Sequence, residues 1–101
     1  MLVEISVTCK NTAEARKIAR QLLTNKLVAC ANFWPVNSIF TWHGKQVNGR
    51  EVLLVCKTES RHARRAKLLI QDLHSYELPT LTVSNITTTP AVTRWVKEVT
   101  K

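Results

Sequence analysis

The stretch "HSYELP", His74 to Pro79, sets an imidazole, a phenol and a carboxylate beside a proline. Imidazole and carboxylate together can hold Zn2+ or Cu2+, and both metals favour imidazole nitrogen, so His74 and Glu77 are candidate metal ligands. Two ligands do not complete a site. A structural reading stands beside this one: His74 ends a helix, where cations are favoured, and Leu78–Pro79 leads into a strand. A third reading makes His74 a base oriented by Glu77 in a cleft enzyme. That chemistry needs an activated nucleophile. The chain has two glycines, Gly44 and Gly49, no G-x-S-x-G turn and no Gly-rich phosphate loop. Cys30 and Cys56 fall in apolar strand interiors, away from the exposed surroundings of a reactive thiolate. The expectation is a binding role rather than catalysis.

The three cysteines, Cys9, Cys30 and Cys56, are widely spaced and form no CxxC pair. They read as buried reduced thiols of a reducing compartment. Glu4 interrupts the first apolar run, and no stretch approaches the roughly 20 apolar residues that span a bilayer. The expected setting is the cytoplasm, without membrane association. The net charge is +8, from 15 Lys+Arg against 7 Asp+Glu. It attracts polyanions non-specifically, through Lys/Arg–phosphate contacts that salt removes.

The elements that must position these residues follow from periodicity. Residues 2–9 alternate as a half-buried strand. Asn11 and Glu14 form a capping-box pattern before the stripe Ala15, Ile18, Ala19, Leu22 and Leu23. Residues 27–34 predict a second strand, ended by a bulge or sheet edge at Pro35. Asn48–Gly49 reads as a hairpin turn between "SIFTWHGKQV" and "REVLLVCKT". Val52–Cys56 is apolar on both faces, as in a central strand. Ser60 is a cap for a second helix, with Ala63, Ala66, Leu69, Ile70 and Leu73 as its stripe. Residues 80–87 predict the fourth strand. Thr89 and Pro90 open a last helix carrying Val92, Trp95, Val96 and Val99 on one face.

The order β-α-β-β-α-β plus a C-terminal helix predicts an α+β, ferredoxin-like split βαβ fold in one domain spanning residues 1–101. RNA-binding modules of the RRM type share this order, but they stack bases on central-strand aromatics, and "EVLLVCKT" has none. An RNA- or anion-binding ferredoxin-like module therefore ranks below a non-enzymatic, oligomeric binding protein. The long hairpin rich in Phe33, Trp34, Phe40 and Trp42 leaves edges that invite pairing with another chain.

Three segments together resemble the divalent-cation-tolerance family called CutA: "KLVACANFWPVNSIFTWHGK" (26–45), "EVLLVCKT" (51–58) and "HSYELP" (74–79). Phe40 stands where the family commonly has tyrosine, Ser75 replaces a proline, and Thr80 stands at a position that is often acidic. The resemblance implies a tight homotrimer with an architecture like that of PII signalling proteins. It also implies an association with tolerance to divalent cations, copper above all, with no established reaction. It places Asn32, Trp42, Lys57, His74, Tyr76 and Glu77 around a shared ligand cleft near a subunit boundary. No cofactor follows beyond Cu2+ or another divalent cation.

Overall fold

Alternation over Leu2–Cys9 produces β1, the strand on which the sheet is built. In the computed structural model, which describes residues 1–101, Val3, Ile5, Val7 and Cys9 are buried on one face of β1. Glu4, Ser6 and Thr8 lie half-buried on the other, as strand geometry requires. Three more strands, β2 (Cys30–Trp42), β3 (Lys45–Glu59) and β4 (Thr82–Ile86), complete one antiparallel sheet in the order β2-β3-β1-β4. Helices α1 (Thr12–Thr24) and α2 (Ala63–Leu73) pack their apolar stripes on the Val3–Cys9 face. Ile18, Leu22, Ala66 and Ile70 meet Ile5, Val7, Leu54 and Cys56 there. Helix α3 (Pro90–Val99) lies against the opposite face, where Val96 packs with Leu2 and Ala29. The expected α+β architecture and element order are thus present. No helix is long and apolar enough to cross a membrane.

Local chemistry explains the boundaries. Asn11 accepts a hydrogen bond from the Glu14 backbone N–H at 2.9 Å and caps α1. At its other end Lys26 adopts φ 57, and Leu27 N–H reaches back to the Leu22 carbonyl at 3.0 Å. That closure is a Schellman motif built on lysine where glycine is usual. Thr89 caps α3 through Val92 N–H, with Pro90 at its start. Ser60 makes no side-chain cap; Ser60–His62 form a 3-10 turn instead, and the Arg61 guanidinium pairs with Glu59 at 3.2 Å. Along α3, Val92 and Val96 face the protein, whereas Trp95 and Val99 are exposed.

Two strand expectations are corrected. The strand does not stop at Pro35: β2 runs straight through it, paired with Val52, while the sheet edge expected there is present, since β2 is an edge strand whose outer side needs no donor. The turn is not at Asn48–Gly49. It lies at His43 (φ 50) and Gly44 (φ 76), the two positive-φ residues of a type I′ hairpin, with Trp42 opposite Lys45. Asn48 and Gly49 sit inside β3, opposite Ile39 and Ser38. Core packing selects this register. Phe33 must lie opposite Leu54, and Ala31 opposite Cys56, to join the α1-facing cluster; a turn at Asn48–Gly49 would carry both past the end of β3. Gly44→Ala is therefore expected to cost about 1 kcal/mol in urea unfolding, since only the backbone angle is strained and nothing lies within 4 Å of the added Cβ. Gly49→Ala should stay within about 0.5 kcal/mol. Equal costs would place the strain elsewhere.

The corrected turn makes a long arm. β1 pairs only with Val52–Glu59 of β3, so Lys45–Glu51 and the facing part of β2 project beyond the sheet. The molecule measures 44 × 24 × 21 Å. On or beside the arm, Trp34 (45% exposed), Ile39 (66%), Phe40 (42%) and Trp42 (37%) face solvent in a single chain.

Candidate functional site

The segment after α2 is stitched to three other elements. His74 Nδ1 accepts from the Tyr76 backbone N–H at 3.0 Å, and its Nε2 lies 2.8 Å from the Thr8 carbonyl oxygen. A carbonyl only accepts, so Nε2 carries the proton and donates. Both ring nitrogens are thereby engaged. Glu14 supplies the second tie: one carboxylate oxygen accepts from Lys10 N–H and the other from Ser75 N–H, each at 2.9 Å. The capping-box return bond therefore goes to Lys10 rather than Asn11, with the second oxygen taken up by Ser75. Burial alone would raise the Glu14 pKa; hydrogen bonds from Ser75 and Lys10, with His74 nearby, outweigh it and hold the carboxyl below its ordinary 4.5. The third tie is Tyr76 Oη, which donates to Glu51 on β3 at 2.7 Å. Burial and that hydrogen bond push the phenol above its ordinary range.

These ties hold the loop beside the base of the arm and leave an open cleft of about 940 Å3 between them. Phe40, Trp42 and Val47 come from the arm, Glu51 from the base of β3, and Tyr76, Glu77, Leu78 and Thr80 from the loop. Thr8 and Thr80 hydroxyls meet at 3.0 Å on its wall.

Of the six residues expected around one cleft, a single chain brings together Trp42, Tyr76 and Glu77. His74 stands behind them at the root of the loop. Asn32 and Lys57 lie on the same sheet face but at its other end. Asn32 and Trp42 are ten residues apart on one strand, about 34 Å. Lys57 is paired across the strands with Glu4 at 3.2 Å. Glu77 is exposed, and the donor atoms that converge around His74 are instead those of Cys9 and Glu14, within 4.8 Å of one another. That trio has metal-ligand chemistry, yet each member is committed elsewhere. Both ring nitrogens of His74 are engaged, and each Glu14 oxygen already accepts one hydrogen bond. The Cys9 thiol is pushed up to about 12 by burial and by the charges of Glu14 and Glu51. A metal at His74, with Glu77 or with the trio, therefore requires an existing hydrogen bond to break. Glu14 as a loop anchor and Glu51 as a cleft wall were not foreseen as site residues. The capping pattern signals Glu14 only as a helix cap, and Glu51 opens the motif "EVLLVCKT" with no signal that it faces the cleft.

Comparison with known proteins agrees with this architecture. The family model described as CutA1 divalent ion tolerance protein matches residues 3–99. The divalent-cation tolerance protein CutA of Thermotoga maritima is 30% identical over 100 residues, covering 96% of this chain and 97% of its own length. The Protein CutA homolog of Xenopus laevis is 41% identical over 73 residues, 71% of this chain but 48% of that longer protein. Among solved structures, that of the periplasmic divalent cation tolerance protein CutA from Archaeoglobus fulgidus superposes with a TM-score of 0.96 at 31% identity, covering 98% of each chain. The divalent cation tolerance protein from Thermus thermophilus gives 0.95 at 30%, covering 100% of each. With a family model spanning nearly its whole length and the same fold at these identities, the chain belongs to the CutA1 divalent ion tolerance protein family.

Proposed function

We propose that the protein is a non-catalytic, homotrimeric binding protein that serves tolerance to divalent cations, copper above all, in the cytoplasm. The observation that carries this reading is the cleft at the base of the arm, walled by Trp42, Tyr76 and Glu77 and held rigid by the Glu14 and His74 ties. Asn32 and Lys57, far from that cleft within one chain, complete it in this reading from a neighbouring subunit. The name shared by the relatives supplies the link to divalent ions. The free thiols Cys9, Cys30 and Cys56 suit a reducing compartment. A copper-sensitive host lacking its own family member tests the reading. The wild-type chain should restore growth in graded Cu2+, and a Trp42→Ala, Glu77→Ala double variant should not. Equal rescue by both would overturn it.

The convergence of Cys9, Glu14 and His74 favours a second reading, in which His74 ligates Cu2+ directly, with Glu77 as the further expected ligand. The engaged imidazole opposes it. His74→Ala should leave Cu2+ affinity, measured by calorimetry on the purified protein, within about threefold and lower stability by about 1 to 2 kcal/mol. A loss of tenfold or more, roughly 1.4 kcal/mol, in both His74→Ala and Glu77→Gln would move the site to the metal reading.

A further inference from the structure

The layer formed by α1 and α2 carries positive charge that the chain leaves unanswered. Lys17 and Arg20 project from α1 opposite its buried stripe of Ala15, Ile18, Ala19 and Leu22. Arg64 and Arg65 are exposed in the first turn of α2, and Lys67 is half-buried in the next. None of these side chains is ion-paired; the chain's ion pairs are Lys57–Glu4 and Arg61–Glu59. Nearby acids are turned inward. Glu14 is buried and bonded to the Lys10 and Ser75 N–H groups, and Glu59 is buried against Arg61. Asp72, at the far end of α2, is the one exposed acid on either helix. The two helices run antiparallel, because they follow the antiparallel strands β1 and β3. The Glu14–Ser75 bond sets the start of α1 beside the end of α2. Arg20 therefore lies toward the arginines of α2 and away from Asp72. Arg64 and Lys67 also border a groove of about 360 Å3 with Gln71, Pro79 and Leu81, and no acid lines it. Helix α2 is thus charged against its own dipole, with cations at its start and an acid at its end. Such a local cost with no structural return marks a functional surface.

We infer that this face binds the phosphate backbone of double-stranded nucleic acid, without regard to sequence. It is separate from the cleft and from the arm. The bare strand edges and exposed aromatics of the arm belong to β2 and β3, and α3 lies on the other face of the sheet, so assembly through the arm leaves the α1–α2 layer outside. Arg20, Arg64 and Arg65 present planar forks that pair with two phosphate oxygens at once. Neither helix contains Phe, Tyr or Trp. The face therefore offers nothing on which unpaired bases stack, which favours a duplex over a single strand. Its large exposed apolar side chains are Leu23 and Leu68 alone. That is too little to enter a bilayer as an interfacial helix does.

The probes are a short fluorescent DNA duplex of mixed sequence, one of its strands alone, and phosphatidylserine vesicles. By anisotropy, the intact protein should bind the duplex with a Kd of about 10 μM or below at about 50 mM salt, and lose at least about tenfold in affinity by about 200 mM. Shuffling the duplex sequence should change nothing. The double variant Arg64→Glu, Arg65→Glu should weaken binding at least about tenfold. Its fold is not at risk, because acids are what the first turn of a helix favours, and it should resist urea at least as well as the wild type. Arg94→Glu, Lys97→Glu, at exposed positions of α3, removes the same charge and should stay within about threefold. If the two pairs weaken binding equally, affinity follows net charge and the α1–α2 face is not the site. A single strand bound as tightly as the duplex, or vesicles bound in preference to it, would overturn the duplex as the occupant. No duplex binding at low salt ends the inference and leaves the cleft reading untouched.

Discussion

Glu14→Ala should lower stability by about 3 kcal/mol, the largest single-residue effect expected outside the apolar core. Its two oxygens accept from Lys10 and Ser75 N–H, and truncation leaves those donors, one of them within the His74–Pro79 loop, without an acceptor. Each unsatisfied donor costs about 1 to 3 kcal/mol, at the upper end when the lost partner is charged. The effect should be local as well as global. Amide exchange at Ser75 and Tyr76 should accelerate more than at Leu54 or Cys56, because the loop loses one tie while β3 keeps its ladder. Glu14→Gln keeps one carbonyl acceptor and should fall between wild type and Glu14→Ala. The pH dependence follows in sign. The folded carboxyl titrates below its ordinary 4.5, so its stabilisation is complete above that value. It is lost as pH falls from 4.5 through the lowered folded value. Urea unfolding of the wild type should weaken across that window, and Glu14→Gln should remove that part of the slope. A Glu14→Ala cost under about 0.5 kcal/mol would show that the loop is held without it.

The second large effect concerns assembly. The wild-type chain should sediment at three times its 11.5 kDa mass. Both sides of the arm are short of partners: β2 is an edge strand along its length, and Lys45–Glu51 of β3 has no neighbour on its second side. Long bare edges flanked by exposed aromatics are what other chains pair with. Ile39→Asp, at the most exposed of the arm's large apolar residues, puts a charge where the neighbour should pack. A central contact of this kind is worth about 2 kcal/mol or more, so subunit affinity should fall about 30-fold or further. The Ile39→Asp chain should sediment below the trimer at micromolar concentration, with an unchanged far-ultraviolet spectrum. A monomeric wild type would sink the assembly reading, and a trimeric Ile39→Asp would move the interface off the arm.

Periodicity alone was enough to read the β-α-β-β-α-β order, the two core-facing helices and the terminal helix. The alternation of Leu2–Cys9, the stripe from Ala15 to Leu22 and the Thr89–Pro90 start are local signals that act within one or two turns of chain. The motifs likewise carried the family. The hairpin turn was different. Asn48–Gly49 has the stronger local preference, yet the chain turns at His43–Gly44, because Phe33 and Ala31 must lie opposite Leu54 and Cys56 to reach α1. That requirement joins residues far apart in the chain, and no local window contains it. The candidate site divides in the same way. His74, Tyr76 and Glu77 were visible as a cluster of chemical groups. That both nitrogens of His74 are engaged, that Glu14 anchors the loop, and that Glu51 faces the cleft were decided by packing. Those facts depend on where Thr8, Ser75 and Tyr76 arrive from separate elements. Asn32 and Trp42, which share one motif in the sequence, are held at opposite ends of an extended strand, because a β-strand converts ten residues into about 34 Å of separation.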